Sequence, residues 1–84
     1  MTFQILWGEK ALAELKKLDL SVARRIAKKV RELESEPFSQ DVIRLTGSND
    51  FRLRVGDYRV IFSLFEQTIE ITKVGHRRNI YKKL

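Results

Sequence analysis

The chain has 84 residues and a hydrophobic content of 43%, which predicts one folded domain over residues 1–84. It has no cysteine, no apolar run as long as a membrane span and no signal-peptide core, which excludes disulfides and thiol chemistry and predicts a cytoplasmic protein. A formal net charge of +6 favours an anionic partner: nucleic acid, an anionic membrane or an acidic protein.

The first half of the chain predicts a strand followed by two helices. Residues 2–7 alternate between apolar and polar side chains, which is typical of a strand, and helical spacing follows from residue 9 to about residue 18. Asp19 or Ser21 is positioned to cap a second helix. The apolar positions of that helix recur every three or four residues: Val22, Ile26, Val30 and Leu33. Pro37 bars the helix from continuing, and the short link predicts an antiparallel helical pair.

The second half predicts three or four strands in a meander. The stretch DVIRLTG is typical of a short strand before a turn, and FRLRVGDYRVIF, residues 51–62, predicts a hairpin around Gly56–Asp57. A weaker turn at Glu66–Gln67 leads into TIEITKVGH. The expected fold is therefore α+β, with a mostly antiparallel twisted sheet and a helical hairpin on one face.

The first hairpin raises an electrostatic question. A two-residue loop pairs Val55 with Tyr58 and places Arg54 directly across from Arg59, and like charges in that position destabilise a sheet. One answer is an anion between them, and phosphate matches the planar donors of guanidinium best. The other answer is that the arginines extend into water or meet a nearby carboxylate, the candidates being Asp50, Asp57, Glu66 and Glu70.

Strand register extends this argument across the sheet. If residues 66–67 also form a two-residue loop, Arg59 faces Val74. One face then carries Arg52, Arg54, Arg59, Thr72, Val74 and His76. The other face, packed on the helices, carries Phe51, Leu53, Val60, Phe62, Leu64, Ile69 and Ile71. Arg77 and Arg78 follow where the last strand ends.

The residue types limit the chemistry. His76 is the single histidine, and without cysteine it predicts no metal site. A glycine-rich phosphate loop, a nucleophile elbow and a spaced carboxylate pair are all absent from the sequence, and no cofactor is expected. An enzyme built from Arg, His, Tyr and Lys suits cleavage of RNA, because the 2′-hydroxyl supplies the nucleophile and the protein supplies proton transfer and charge stabilisation.

Motifs along essentially the whole chain resemble the RelE/ParE superfamily of bacterial and archaeal toxins. These are LTG before the hairpin, FRLRVGDYRVIF and VGHRRNIY, in strand–helix–helix–meander order. The resemblance to the RelE branch implies a type II toxin that enters the ribosomal A site and cuts messenger RNA there without a metal. It also implies a RelB-like cognate antitoxin, with the ribosome, mRNA and rRNA as further partners. The alternative is a ParE-like inhibitor of DNA gyrase, or an inactive relative.

The resemblance also implies roles for individual residues. Arg52 and Arg54 correspond to positions that contact phosphate, where arginine keeps the charge but does not release a proton. Arg59 corresponds to the contact with the scissile phosphate, and Arg77 to the group that stabilises the transition state. Tyr81 is expected to stack on a base or take the 2′-hydroxyl proton, with His76 as the second candidate acid or base. Arg78, Lys82 and Lys83 are expected to bind RNA.

Overall fold

The computed structural model describes residues 2–47 and 49–80, which form a sheet with two helices on one face and a short third helix. The elements are β1 (Gln4–Trp7), α1 (Glu9–Lys16), α2 (Leu20–Glu32), β2 (Val42–Arg44), β3 (Asp50–Val55), β4 (Tyr58–Phe65), β5 (Thr68–His76) and α3 (Arg77–Ile80). The sheet order is β1-β5-β4-β3-β2, with β1 parallel to β5 and the other pairs antiparallel. The predicted α+β fold is therefore confirmed.

The main core lies between the helices and one sheet face. Helix α1 contacts β5 and helix α2 contacts β3. The helices contribute Ala11, Ile26 and Val30, and Leu33 directly after α2 joins them. The strands contribute Leu53, Val55, Val60, Phe62, Ile69, Ile71 and Val74. The Glu14 carboxylate also accepts a hydrogen bond of 2.9 Å from the Val74 N–H, which ties α1 to β5. The apolar spacing of α2 places its buried stripe as predicted; Asp19 is the N-cap residue, although its side chain makes no capping hydrogen bond.

Both hairpin loops have the predicted length. Val55 pairs with Tyr58 and Arg54 with Arg59 across the Gly56–Asp57 turn. Phe65 pairs with Thr68 across the second turn. The face opposite the helices, called the open face here, carries Arg52, Arg54, Arg59 and Ile61. The two arginines of the first hairpin are therefore directly opposed, as the sequence predicted.

A β-bulge in β5 makes part of the predicted register wrong. Ile61 pairs with Lys73 and Phe62 with Ile71, so Thr72 is an additional residue, and its hydroxyl donates a 3.2 Å hydrogen bond to the Ile61 carbonyl. Beyond the bulge every side chain of β5 changes face. Arg59 consequently faces Gly75 rather than Val74.

The change of face relocates two residues that were expected beside the arginines. Val74 pairs with Val60 and is buried in the main core. His76 pairs with Tyr58, on the side of the sheet that carries the helices. The bulge is favourable for packing because it buries a β-branched side chain and turns a glycine outward.

Gly56 occupies a conformation that favours glycine, and we expect its replacement to be costly. Its φ of 58° lies in the left-handed region, where a Cβ costs about 1–2 kcal/mol. An added Cβ would also displace the Arg25 guanidinium, whose Cζ lies 3.3 Å from that position. Gly56→Ala should lower the free energy of unfolding by at least as much as Gly47→Ala, measured by urea denaturation. Gly47 is the matched control because its φ is 75° and no described atom lies within 4 Å of its Cβ position. An unchanged stability of Gly56→Ala would contradict the expectation.

Candidate functional site

Basic residues gather at the end of the sheet formed by the Gly56–Asp57 turn. Arg54 and Arg59 lie on the two strands that enter and leave this turn. Arg77 begins α3 directly after β5, and its N–H donates a 2.8 Å hydrogen bond to the Asp57 carbonyl. Its Nε lies 4.0 Å from Asp57 Oδ1, a long ion pair between exposed groups. The structure thus brings Arg54, Arg59 and Arg77 to one end of the sheet.

Arg59 is folded over the turn and held by backbone carbonyls. Its Nη1 donates to the Gly56 oxygen at 2.8 Å and to the Tyr58 oxygen at 2.9 Å. Among the described residues, its Nε is buried and has no hydrogen-bond acceptor. Carbonyl groups orient a guanidinium without neutralising it, so Arg59 keeps its positive charge for an anion.

Arg54 is paired with Asp41, which is not one of the four carboxylates expected from the sequence. Its Nη2 lies 2.8 Å from Asp41 Oδ1, while Lys29 Nζ of α2 lies 2.9 Å from Asp41 Oδ2. The hydrogen bond from Lys29 is the largest cause that lowers the pKa of Asp41 below its ordinary value, and the hydrogen bond from Arg54 is the second. The hydrogen bond to Asp41 in turn raises the pKa of Lys29.

This pairing changes the answer to the electrostatic question. The Arg54 guanidinium extends to Asp41 at the sheet edge and the Arg59 guanidinium folds onto the turn. The opposed arginines therefore separate their charges without needing a bound anion. Asp41 directly precedes β2, and the pairing of Val42 with Leu53 places it beside Arg54. A prediction of how β2 pairs with β3 would have identified Asp41 as the partner of Arg54.

Acid should weaken the link that Asp41 makes between helix and sheet. Because its folded-state pKa is lowered, Asp41 adds stability above its ordinary pKa of 3.8 and loses that contribution as the pH falls through the folded-state value. We expect Asp41→Asn to be less stable than the wild type at neutral pH, with a difference that shrinks as the pH falls below 3.8. Urea denaturation over a pH series measures this difference. Asp19→Asn, at an exposed position of the α1–α2 link, is the control, and a pH-independent difference for Asp41→Asn would contradict the expectation.

His76 does not share a face with the arginines, which corrects its expected position. Its ring meets the Tyr58 ring edge-on, with centroids 5.4 Å apart and an interplanar angle of 76°. Its Nδ1 accepts a 3.2 Å hydrogen bond from the Arg78 N–H, so in the neutral ring the proton is on Nε2. His76 is nevertheless at the same end of the sheet, since it pairs with the first residue of β4.

The remaining predicted site residues divide into three groups. Arg52 lies on the open face, where it pairs with Ile61, and is half-buried. Arg78 is exposed on α3. Tyr81, Lys82 and Lys83 lie outside the described residues. Arg25 was missed as a neighbour of the turn; it reaches Gly56 from α2.

Two further observations concern metal ions and membrane-spanning helices. In the part of the chain that the structure describes, no group of three or more His, Asp or Glu side chains is arranged to hold a metal ion. No helix within residues 2–47 and 49–80 has the length and apolar character needed to cross a membrane.

Comparison with known proteins identifies the family. Residues 5–81 match the family model of the ParE toxin of type II toxin–antitoxin systems of the parDE kind. No curated protein matches the chain. The structure is similar to that of the archaeal RelE–RelB complex from Pyrococcus horikoshii, with a TM-score of 0.81 and 32% identity over 94% of this chain and 99% of that chain. For the RelB–RelE complex from Methanococcus jannaschii the TM-score is 0.78, with 26% identity over 94% of this chain and 98% of that chain.

The fold is also shared with a ParDE system. For the chromosomal system from P. aeruginosa the TM-score is 0.77, with 15% identity over 89% of this chain and 96% of that chain. At this identity the likeness concerns the fold alone. The match to the family model over nearly the whole length, together with the archaeal structures, settles membership: the chain belongs to the ParE toxin family, within the RelE/ParE superfamily of type II toxin–antitoxin toxins.

Proposed function

We propose that this chain is a ribosome-dependent endoribonuclease that cuts messenger RNA in the A site and so inhibits translation. The observation that carries the proposal is the gathering of Arg54, Arg59 and Arg77 around the Gly56–Asp57 turn. Guanidinium groups match the oxygens of phosphate in charge and geometry. A site of this kind is suited to a phosphodiester whose charge increases during cleavage.

The chemistry divides between substrate and protein. The 2′-hydroxyl attacks the adjacent phosphorus, a cyclic phosphate forms, and the 5′-oxygen of the next nucleotide leaves with a proton. In this proposal Arg59 binds the scissile phosphate, Arg77 stabilises the charge of the transition state, and Arg54 and Arg52 position the strand. Exposed Arg78 contacts RNA, together with Lys82 and Lys83.

Two groups are candidates for taking the 2′-hydroxyl proton. Histidine is a common general acid or base in catalysis, but His76 lies on the helix side of the sheet end, away from the open face. Tyr81 follows α3 directly in the sequence and belongs to the motif that resembles RelE. A tyrosine needs nearby cations to act as a base, and Arg77 is the candidate within the same motif.

The structures of two relatives suggest an antitoxin partner for this chain. RelE from P. horikoshii and from M. jannaschii were each solved in complex with RelB. By extension we expect a RelB-like antitoxin to bind and block this chain in the cytoplasm.

A purified translation mixture tests the proposal. We expect 5′-end mapping to show new messenger ends within the A-site codon when the protein is added to translating ribosomes. The same messenger without ribosomes should stay intact. Intact messenger on translating ribosomes would contradict the proposal.

The second candidate function is inhibition of DNA gyrase. It is favoured by the family model, which is that of the ParE toxin, and by the Asp41 pairing, which partly neutralises Arg54. A supercoiling assay with purified gyrase separates the two functions. Blocked supercoiling with uncut messenger would favour the gyrase inhibitor.

A further inference from the structure

Two buried isoleucines lie outside the main core. Among the described residues, Ile61 is 1% exposed and Ile80 is 3% exposed, yet neither belongs to the core cluster between helices and sheet. Ile61 alternates with Val60 and Phe62, whose side chains enter that core, so it faces the open face. The helices α1 and α2 therefore do not account for the burial of these two side chains.

Gly75 shows where Ile80 is located. A Cβ added to Gly75 would lie 3.8 Å from both Cβ and Cδ1 of Ile80. Because Gly75 pairs with Arg59, this Cβ direction belongs to the open face. Helix α3 thus folds back over the open face and contacts both β5 and β4.

The bulge at Thr72 makes room for this contact. In an unbroken register Val74 would face Arg59, and its branched side chain would occupy the space over which Ile80 packs. With the bulge, Gly75 faces Arg59 and Val74 enters the core. The bulge in β5 therefore adds Val74 to the core and leaves space over Gly75 in which Ile80 packs.

Arg77 needs such support because, among the described residues, its side chain has few contacts of its own. The described part of α3 spans four residues, and helices well under a dozen residues depend on tertiary packing for their stability. The Arg77 side chain is 54% exposed, and its ion pair with Asp57 is 4.0 Å long. The hydrogen bond from the Arg77 N–H to the Asp57 carbonyl holds one end of the helix, and Ile80 is the buried residue at the other end.

We propose that Ile80 is a positioning residue, whose packing on Gly75 fixes α3 on the open face and holds Arg77 beside Arg59. This inference rests on the proposed function for its effect on cleavage. The position of Arg77 can also be tested by hydrogen exchange, which does not depend on whether the protein cuts RNA.

The experiment compares Ile80→Ala with wild type in two measurements. The first is the single-turnover rate of messenger cleavage at saturating ribosomes, which we expect to fall on the order of 10- to 100-fold, because small displacements of a catalytic group have effects of this size. The second is hydrogen exchange of the Arg77 amide, which should become faster while the amides of β3 and β4 keep their rates. Ile43→Ala is the matched control, since Ile43 is an exposed isoleucine on the same face.

A second variant keeps the test decisive if Ile80→Ala does not fold. Gly75→Leu leaves Ile80 in the chain but fills the space over residue 75 in which Ile80 packs. This variant should also slow cleavage and accelerate hydrogen exchange of the Arg77 amide. Wild-type cleavage together with unchanged Arg77 exchange in either variant would overturn the inference. Faster exchange throughout the sheet would also overturn it, because that is the result of a general loss of packing. If the wild-type protein does not cut messenger, the proposed function fails. The exchange rate of the Arg77 amide still tests whether Ile80 fixes the position of α3.

Discussion

Replacing Arg77 with alanine should lower the rate of messenger cleavage on ribosomes by about 100- to 1,000-fold, the cost of removing one group that stabilises transition-state charge. Negative charge on the phosphate oxygens increases as the 2′-oxygen attacks. Among the described residues, Arg77 makes the weakest side-chain contact of the three arginines at this sheet end, an ion pair of 4.0 Å with Asp57. In the proposed reaction its guanidinium is therefore the group with most freedom to move onto the phosphate.

The measurement is a single-turnover cleavage assay at saturating ribosomes, so that weaker binding does not imitate slower chemistry. Arg31→Ala is the matched control, because Arg31 is an exposed cation on α2 and its loss changes net charge equally. Arg77→Lys should recover part of the rate, since lysine keeps the charge but not the planar pair of donors. Equal rates for Arg77→Ala and Arg31→Ala would remove Arg77 from the mechanism.

The hairpin could be predicted from the sequence because local rules determine it. A Gly-Asp pair between alternating strands specifies a two-residue loop, and that loop fixes which residues pair. The direct opposition of Arg54 and Arg59 follows from these two facts alone. The apolar period of α2 likewise identifies Ile26 and Val30 as buried residues.

The bulge could not be predicted because it depends on tertiary packing. Nothing local to TIEITKVGH marks Thr72 as an additional residue. The register changes because Val74 is buried in the core and Gly75 lies beneath Ile80, and both are contacts between distant elements. For this reason the predicted positions of Val74 and His76 on the open face were wrong.

Asp41 was missed for a different reason. Its carboxylate meets Lys29, 12 residues earlier, and Arg54, 13 residues later, and neither separation follows a helix or strand period. The pairing of β2 with β3 brings Asp41 beside Arg54, and the packing of α2 on β3 brings Lys29 to the same carboxylate. Identifying the cations of a site was possible from sequence, whereas identifying the anion that restrains one of them required the sheet.

Phe62→Ala should cost about 3–5 kcal/mol of the free energy of unfolding, the usual cost of removing a buried phenylalanine ring. Phe62 is 0% exposed and is the largest fully buried side chain of the described residues. Its ring stacks on Phe51, with centroids 5.4 Å apart and an interplanar angle of 17°. At about 0.05–0.15 kcal/mol per residue, a chain of 84 residues has roughly 4–13 kcal/mol of stability, so the variant should lose a large share of it and unfold at a much lower urea concentration.

Urea denaturation followed by Trp7 fluorescence and circular dichroism measures the effect, and Phe65 offers the matched control. Phe65 is on the same strand but is 75% exposed, so Phe65→Ala removes the same atoms without opening a cavity. Its stability should stay within about 0.5 kcal/mol of wild type, as is usual for surface changes. Equal losses for the two variants would show that the core between the helices and this sheet face does not hold the fold together, and would contradict the assignment of the two faces of β4.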